Sequence, residues 1–184
     1  MEREKMLTFI SGGARSGKST FAEQYALQIR TETNKDHDKS LVYIATAERT
    51  DQEMEQRITR HILERSSVWY TFEVPLDIES VLLTVRDHKI ILLDCLTVWL
   101  NNMLYKGQAD LPLILDEVSK WIQITERKQL HLIIVSNDVN EEIPTDSHFI
   151  HQYIYQLEKV HSLITANANS VYQVIGGIPI KWKG

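Results

Sequence analysis

One stretch limits what this chain can fold into. Residues 12–19 read Gly12-Gly13-Ala14-Arg15-Ser16-Gly17-Lys18-Ser19, a complete G-x-x-x-x-G-K-[ST] pattern. It stands between an apolar run, Leu7-Thr8-Phe9-Ile10, and a helix-like stretch beginning at Ser19. Glycines let the backbone curl so that several N–H groups point at one anion. The following helix aims the positive end of its dipole at the same place. In such a loop Lys18 reaches the β- and γ-phosphates of a nucleotide, and the Ser19 hydroxyl is placed to ligate Mg2+. A Gly-rich structural turn is the competing explanation, but here strand, loop and helix follow in the required order.

The rest of the chain reads as a series of apolar strands separated by helices. Strands are expected at Met6–Ser11, Leu41–Ala45, Lys89–Asp94 and His131–Ser136, with a shorter alternating one over Trp69–Val74. Helical spacing is expected over Ser19–Arg30, about Asp51–Arg65, from Pro75 through Val85, and over Leu96–Leu104, Leu113–Arg127 and Ile150–Ala168. Gly107–Pro112 reads as a turn and Asn137–Ser147 as a polar loop. Val171–Ile175, a Gly176-Gly177 turn and Ile178–Lys181 form a returning hairpin. The fold class is therefore α/β of the P-loop NTPase type: a mainly parallel sheet with helices on both faces and a C-terminal antiparallel hairpin strand. Residues 1–184 are expected to form one nucleotide-binding domain.

Composition removes several function classes. The formal net charge of −5 provides no polybasic surface for bulk nucleic-acid binding. The single cysteine, Cys95, excludes a disulfide framework and a cysteine-based zinc site. The charged N-terminus leads into a strand too short for a signal sequence, and no apolar run approaches the ~18–20 residues that span a bilayer. A cytoplasmic protein is expected.

In open α/β sheets, ligands bind at the carboxyl ends of the strands. The first loop, Asp94 and Asn137 all follow strand ends and can converge. An apolar strand ending in an acid, Lys89-Ile90-Ile91-Leu92-Leu93-Asp94, matches the arrangement in which a carboxylate helps hold Mg2+. The alternative is an ordinary strand-end aspartate, and the complete phosphate loop favours the metal role. His61 lies on the same helical face as Arg57 and Arg65, four residues to either side. Helix histidines are usually packing or surface residues. Beside two guanidinium groups an imidazole can also attack an α-phosphorus, so both readings stay open on spacing alone.

Taken together, the chain resembles the bifunctional adenosylcobinamide kinase/adenosylcobinamide-phosphate guanylyltransferase family of cobalamin assembly. The stretches that carry the likeness are Gly12–Ser19, Tyr43-Ile44-Ala45-Thr46-Ala47, Glu53-Met54 with Arg57-Ile58 and His61, and Trp69-Tyr70-Thr71-Phe72-Glu73. Leu92-Leu93-Asp94-Cys95-Leu96-Thr97 with Asn101, Val135-Ser136-Asn137 and Gly177-Ile178-Pro179 complete it. The resemblance implies two reactions. A nucleoside triphosphate, ATP or GTP, phosphorylates the aminopropanol hydroxyl of adenosylcobinamide. GTP then donates GMP to that phosphate through a guanylylated histidine, releasing pyrophosphate. His61 falls at the family's nucleophile position. Lys18 and Ser19 would hold phosphates and Mg2+, with Asp94 supporting the metal and with Arg57 and Glu73 as further nucleotide-binding candidates. The resemblance also implies a homotrimer, with corrinoid substrates as partners.

The C-terminal third departs from the family pattern. Asn137-Asp138-Val139-Asn140 replaces Asn-Glu-Val-Gly, an arginine position becomes Ile154, and Glu158, His161 and Ser162 stand where the family has Gly and Asn-Gln. Asp138 keeps the glutamate's charge with a shorter reach, whereas Ile154 removes a fixed positive charge. Two alternatives follow from these changes: a P-loop kinase acting on another hydroxyl, or a nucleotide-binding homologue that has lost one activity. A GTPase switch is disfavoured because no Asn-Lys-x-Asp guanine-reading motif is present.

Overall fold

The computed structural model describes residues 6–33, 41–48, 68–138 and 148–184. Seven strands make one sheet: β1 (Leu7–Gly12), β2 (Leu41–Ala45), β3 (Trp69–Glu73), β4 (Ile90–Asp94), β5 (His131–Asn137), β6 (Ser170–Ile175) and β7 (Ile178–Lys183). Their order across the sheet is β3-β2-β4-β5-β1-β6-β7. Every neighbouring pair is parallel except β6 with β7, which is antiparallel. The α/β class, the mainly parallel sheet and the terminal hairpin are as the sequence predicts.

The helices are α1 (Lys18–Glu32), α2 (Ile78–Thr84), α3 (Leu96–Tyr105), α4 (Leu111–Lys128) and α5 (His148–Asn167). The expected helix over Asp51–Arg65 and most of the polar loop after Asn137 lie outside the described residues. Two boundaries shift for local reasons. Asp77 caps α2 by accepting a hydrogen bond from Ser80 N at 3.1 Å, so that helix starts at Ile78 rather than Pro75. Asp110 caps α4 in the same way, accepting from Leu113 N at 3.0 Å. Pro112 then sits in the first turn, where a missing N–H costs nothing, and belongs to the helix instead of the preceding turn.

Side chains alternate across each strand, and this alternation builds two apolar layers. Leu7, Phe9, Ile91, Leu93, Leu132 and Ile134 face one layer together with α2, α3, α4 and α5. Ile10, Leu41, Tyr43, Ile90, Leu92, Ile133 and Val135 face the other, where Ala22, Ala26 and Ile29 of α1 pack. Small residues on α1 let that helix approach the sheet closely. On the opposite face Trp99 and Trp121 meet edge to face with centroids 4.4 Å apart. Among the described residues, no helix is long and apolar enough to cross a membrane.

Candidate active site

The phosphate loop leaves the sheet at Gly12 of β1, an interior strand between β5 and β6. Gly12 pairs with Asn137 on one side and Val174 on the other. A Cβ on Gly12 would lie 2.5 Å from Ser16 Oγ and 2.6 Å from the Val174 carbonyl, so no larger residue fits. The loop closes through Ser16 N donating to Gly13 O at 3.2 Å. Gly17, with φ of 88°, turns the chain into α1, where Phe21 N donates to Gly17 O at 2.9 Å. Lys18 is buried, and its ammonium donates to Gly13 O at 3.0 Å, which folds the charge back over the loop. Ser16 Oγ is buried without a hydrogen-bond partner among the described residues.

The C-terminal hairpin touches this loop. Gly177 N donates to Ser16 O at 2.8 Å, and a Cβ on Gly17 would come within 3.4 Å of Gly177 Cα. The hairpin turn takes φ of 55° at Gly176 and 83° at Gly177, left-handed values that suit glycine. Residues 161 positions apart in the chain thus share one backbone hydrogen bond.

Asp94 ends β4, separated from β1 by β5. At ~4.8 Å per strand this places its backbone roughly 10 Å across the sheet from the loop strand. Its register partner is Val135, whose own partner on β1 is Ile10, so Asp94 stands two residues below Gly12. Tyr43 Oη donates to Asp94 Oδ2 at 2.7 Å. Thr46 Oγ1 accepts from Cys95 N at 2.9 Å and donates to Cys95 O at 2.8 Å, clamping the turn after the carboxylate. Asn102 Nδ2 in turn donates to Thr46 O at 3.0 Å. Burial, helped by the Asp94 charge, pushes the Cys95 thiol pKa up, while hydrogen bonds with Thr97 and the Val98 backbone pull it down in part.

Beyond β5, Asp138 N donates to Gly12 O at 2.9 Å. The Asp138 carboxylate accepts from Gln173 Nε2 at 3.1 Å. Ser136 Oγ lies 2.8 Å from His161 Nε2, and the His161 ring meets Phe9 edge to face at 5.0 Å. Burial pulls the His161 pKa down to about 4 against the opposing charges of Asp138 and Glu158, so the ring is neutral at pH 7. Tyr153 donates to Thr97 O at 2.9 Å and packs against the core, whereas Tyr155 is exposed.

A family model described as cobinamide kinase / cobinamide phosphate guanyltransferase matches residues 8–182. The chain belongs to this family. It is 32% identical over 181 residues to the bifunctional adenosylcobalamin biosynthesis protein CobP of Pseudomonas aeruginosa, covering 97% of this chain and 98% of that protein. It is 28% identical over 190 residues to CobU of Escherichia coli K12, covering 97% and 100% of the two chains. CobU of Salmonella typhimurium is 27% identical over 190 residues, with the same coverage. A solved structure from Pyrococcus horikoshii OT3 superposes with a TM-score of 0.50 at 8% identity, covering 97% of this chain and 86% of that one, which speaks to the fold alone. The family match supports the resemblance read in the sequence. The activity it assigns is cobinamide kinase and cobinamide phosphate guanylyltransferase in cobalamin biosynthesis, acting on a nucleotide and cobinamide substrates.

Within this family fold the expected site residues separate into three groups. Gly12, Gly13, Ala14, Arg15, Ser16, Gly17, Lys18 and Ser19 form the loop, and Asp94 lies on the neighbouring rim. Glu73 ends edge strand β3, in register with Ala45, which is itself in register with Asp94. It shares the carboxyl rim but stands four strand positions from β1, roughly 19 Å across the sheet. His61 and Arg57 lie outside the described residues. Sequence reading did not single out the contacts of Tyr43, Thr46, Asn102 and Gly177. Tyr43, Thr46 and Gly177 fall in stretches that carry the family likeness, but nothing in the strand pattern names their partners.

Proposed function

We propose that the phosphate loop and the strand-end rim around it serve both family reactions and that His61 carries the second. The observation that carries this reading is the loop itself: a buried Lys18 and an orphaned Ser16 hydroxyl inside a glycine cradle, with β4, which ends in Asp94, one strand removed from β1. Residues Gly12 to Ser19 hold the nucleotide phosphates with backbone N–H groups. Lys18 exchanges its bond to Gly13 O for a phosphate oxygen and offsets charge as the γ-phosphoryl group moves to the aminopropanol hydroxyl. Arg57 and Glu73 are weaker nucleotide-binding candidates, Glu73 because of its distance along the rim.

In the guanylyl step, a His61 ring nitrogen attacks the α-phosphorus of GTP. The bond between the α-phosphorus and the bridging oxygen breaks, and pyrophosphate leaves. A phosphate oxygen of adenosylcobinamide phosphate then attacks the same phosphorus, the P–N bond breaks, and the imidazole is regenerated.

Ser19 and Asp94 provide hard oxygen donors, which suit Mg2+. Among the described residues, no group of three or more His, Cys, Asp or Glu side chains is arranged to hold a metal. Two protein oxygens completed by phosphates and water fit that donor set. When bound, the ion supplies positive charge to the phosphate oxygens.

Residues 1–184 act as one cytoplasmic domain in this reading, and the protein assembles as a homotrimer. Ile175, Ile178, Ile180 and Trp182 support self-association, since they expose an apolar stripe on the terminal hairpin. Sedimentation of wild type against Trp182→Glu tests it, with a smaller species expected for the variant.

Incubation with GTP labelled at the α-phosphate should leave acid-labile label on wild type and none on His61→Ala. Adding adenosylcobinamide phosphate should chase that label into the corrinoid. Absence of label on a wild-type protein that binds GTP would overturn the histidine step. Label that never transfers would place the defect on the acceptor side, where Asp138 and Ile154 replace family residues.

A further inference from the structure

Tyr43 and Asp94 are 51 residues apart in sequence and 2.7 Å apart in space. Their strands, β2 and β4, are parallel neighbours in which Tyr43 pairs with Leu92 and Ala45 with Asp94. Tyr43 is therefore the diagonal neighbour of Asp94 on the same face of the sheet, and a long side chain spans that diagonal. The ring cannot swing freely. It is buried at 4% exposure in the layer beneath α1 and meets Trp69 edge to face at 5.9 Å. The phenol donates to Oδ2 of the carboxylate.

We propose that Tyr43 is a positioning residue for the metal-supporting carboxylate: the buried phenol holds Asp94 Oδ2, so the side chain keeps one rotamer and Oδ1 is the oxygen offered to the metal shell. This rests on the reading that Asp94 supports Mg2+. Neighbours that orient a metal-supporting carboxylate typically change metal affinity by ~10–100-fold when removed. A partly buried carboxylate at a strand end, with two torsions, otherwise has several rotamers to lose on binding. The phenol's hydrogen bond goes to the carboxylate, so the effect proposed is on the metal and not on nucleotide binding without it.

The test is Tyr43→Phe, which keeps the ring and removes only the O–H. GTP binding is titrated by calorimetry with and without Mg2+, and Mn2+ binding to the GTP complex is followed by electron paramagnetic resonance. The expected result is a rise of about tenfold in the half-saturating metal concentration, with metal-free GTP affinity and thermal midpoint close to wild type. Asp94→Asn is run alongside, and the double variant should be no worse than Asp94→Asn alone, because the two groups act as one unit. Equal metal dependence in Tyr43→Phe and wild type, while Asp94→Asn is impaired, overturns the positioning role. A metal-free binding defect equal to that with metal also overturns it, since that marks a merely structural tyrosine. An Asp94→Asn protein with unchanged metal dependence instead removes the underlying reading of Asp94.

Discussion

The centre of the sheet and its C-terminal edge are built on opposite rules. In β1 the residues Leu7, Thr8, Phe9 and Ile10 are all buried, and Ile10 has no exposure at all. In β7 every residue is exposed, with Ile178 at 67% and Trp182 at 68%. Yet the two regions meet at the phosphate loop, where Gly177 N donates to Ser16 O. The loop is thus mounted on a rigid core strand and braced from outside by a turn of an exposed hairpin. The difference teaches where precision comes from: the core fixes where the loop starts, and the hairpin restrains one of its carbonyls.

The largest effect expected from breaking this comparison is at the centre. Lys18→Ala should lower kcat/KM of both reactions by at least about a hundredfold, since it removes a preorganised charge from the phosphate path. Steady-state kinetics on each half-reaction checks this. If only one reaction falls, the two do not share the loop.

A smaller effect, also at the centre, concerns pH. His161 titrates near 6.5 when unfolded and at about 4 when folded. Between these values the unfolded chain binds more protons, so stability rises with pH across that window and is lost as pH falls from 6.5 toward 4. Going from pH 7 to pH 5 should cost about 2 kcal/mol through this group. Urea unfolding of wild type and His161→Phe at both pH values measures it, and the variant should lose most of the slope that the histidine contributes.

The junction comes next. Gly177→Ala meets no atom within 4 Å of the new Cβ but must hold φ at 83°. The left-handed strain is ~1–2 kcal/mol, and nucleotide affinity should weaken several-fold as the turn shifts from Ser16. Calorimetry with GTP reads this directly, and unchanged affinity at reduced stability would show that the loop does not need the brace. The smallest effect belongs to the edge. Ile178→Ser should change unfolding free energy by about 0.5 kcal/mol or less at dilutions where the chain is monomeric. The same substitution should weaken any concentration-dependent association seen in sedimentation.

Much of the architecture was legible because its signals are local. Apolar runs ending at Asp94 and Ser136 read as strands without knowledge of any partner, and the Gly-Gly turn announced its hairpin. Helix starts were less legible. Pro75 and Pro112 looked like boundaries, but the carboxylates of Asp77 and Asp110 decided where α2 and α4 begin. Glu73 shows a different limit. The family likeness implies a nucleotide role for it, but its place on the far edge of the rim comes from strand order, which depends on which crossovers pack best rather than on any one segment.

By itself, the sequence determined the phosphate loop and its flanking strand and helix. The order of glycines, lysine and hydroxyl residue is a local code for backbone that must wrap an anion. It also determined the family, through short stretches spread over nearly the whole chain. Tertiary structure alone decided that Tyr43 holds Asp94, that Thr46 and Asn102 clamp the turn behind it, and that Gly177 braces Ser16. Those contacts join residues far apart in the chain, and they exist only because sheet register sets the distance between side chains and backbone groups that no local pattern relates.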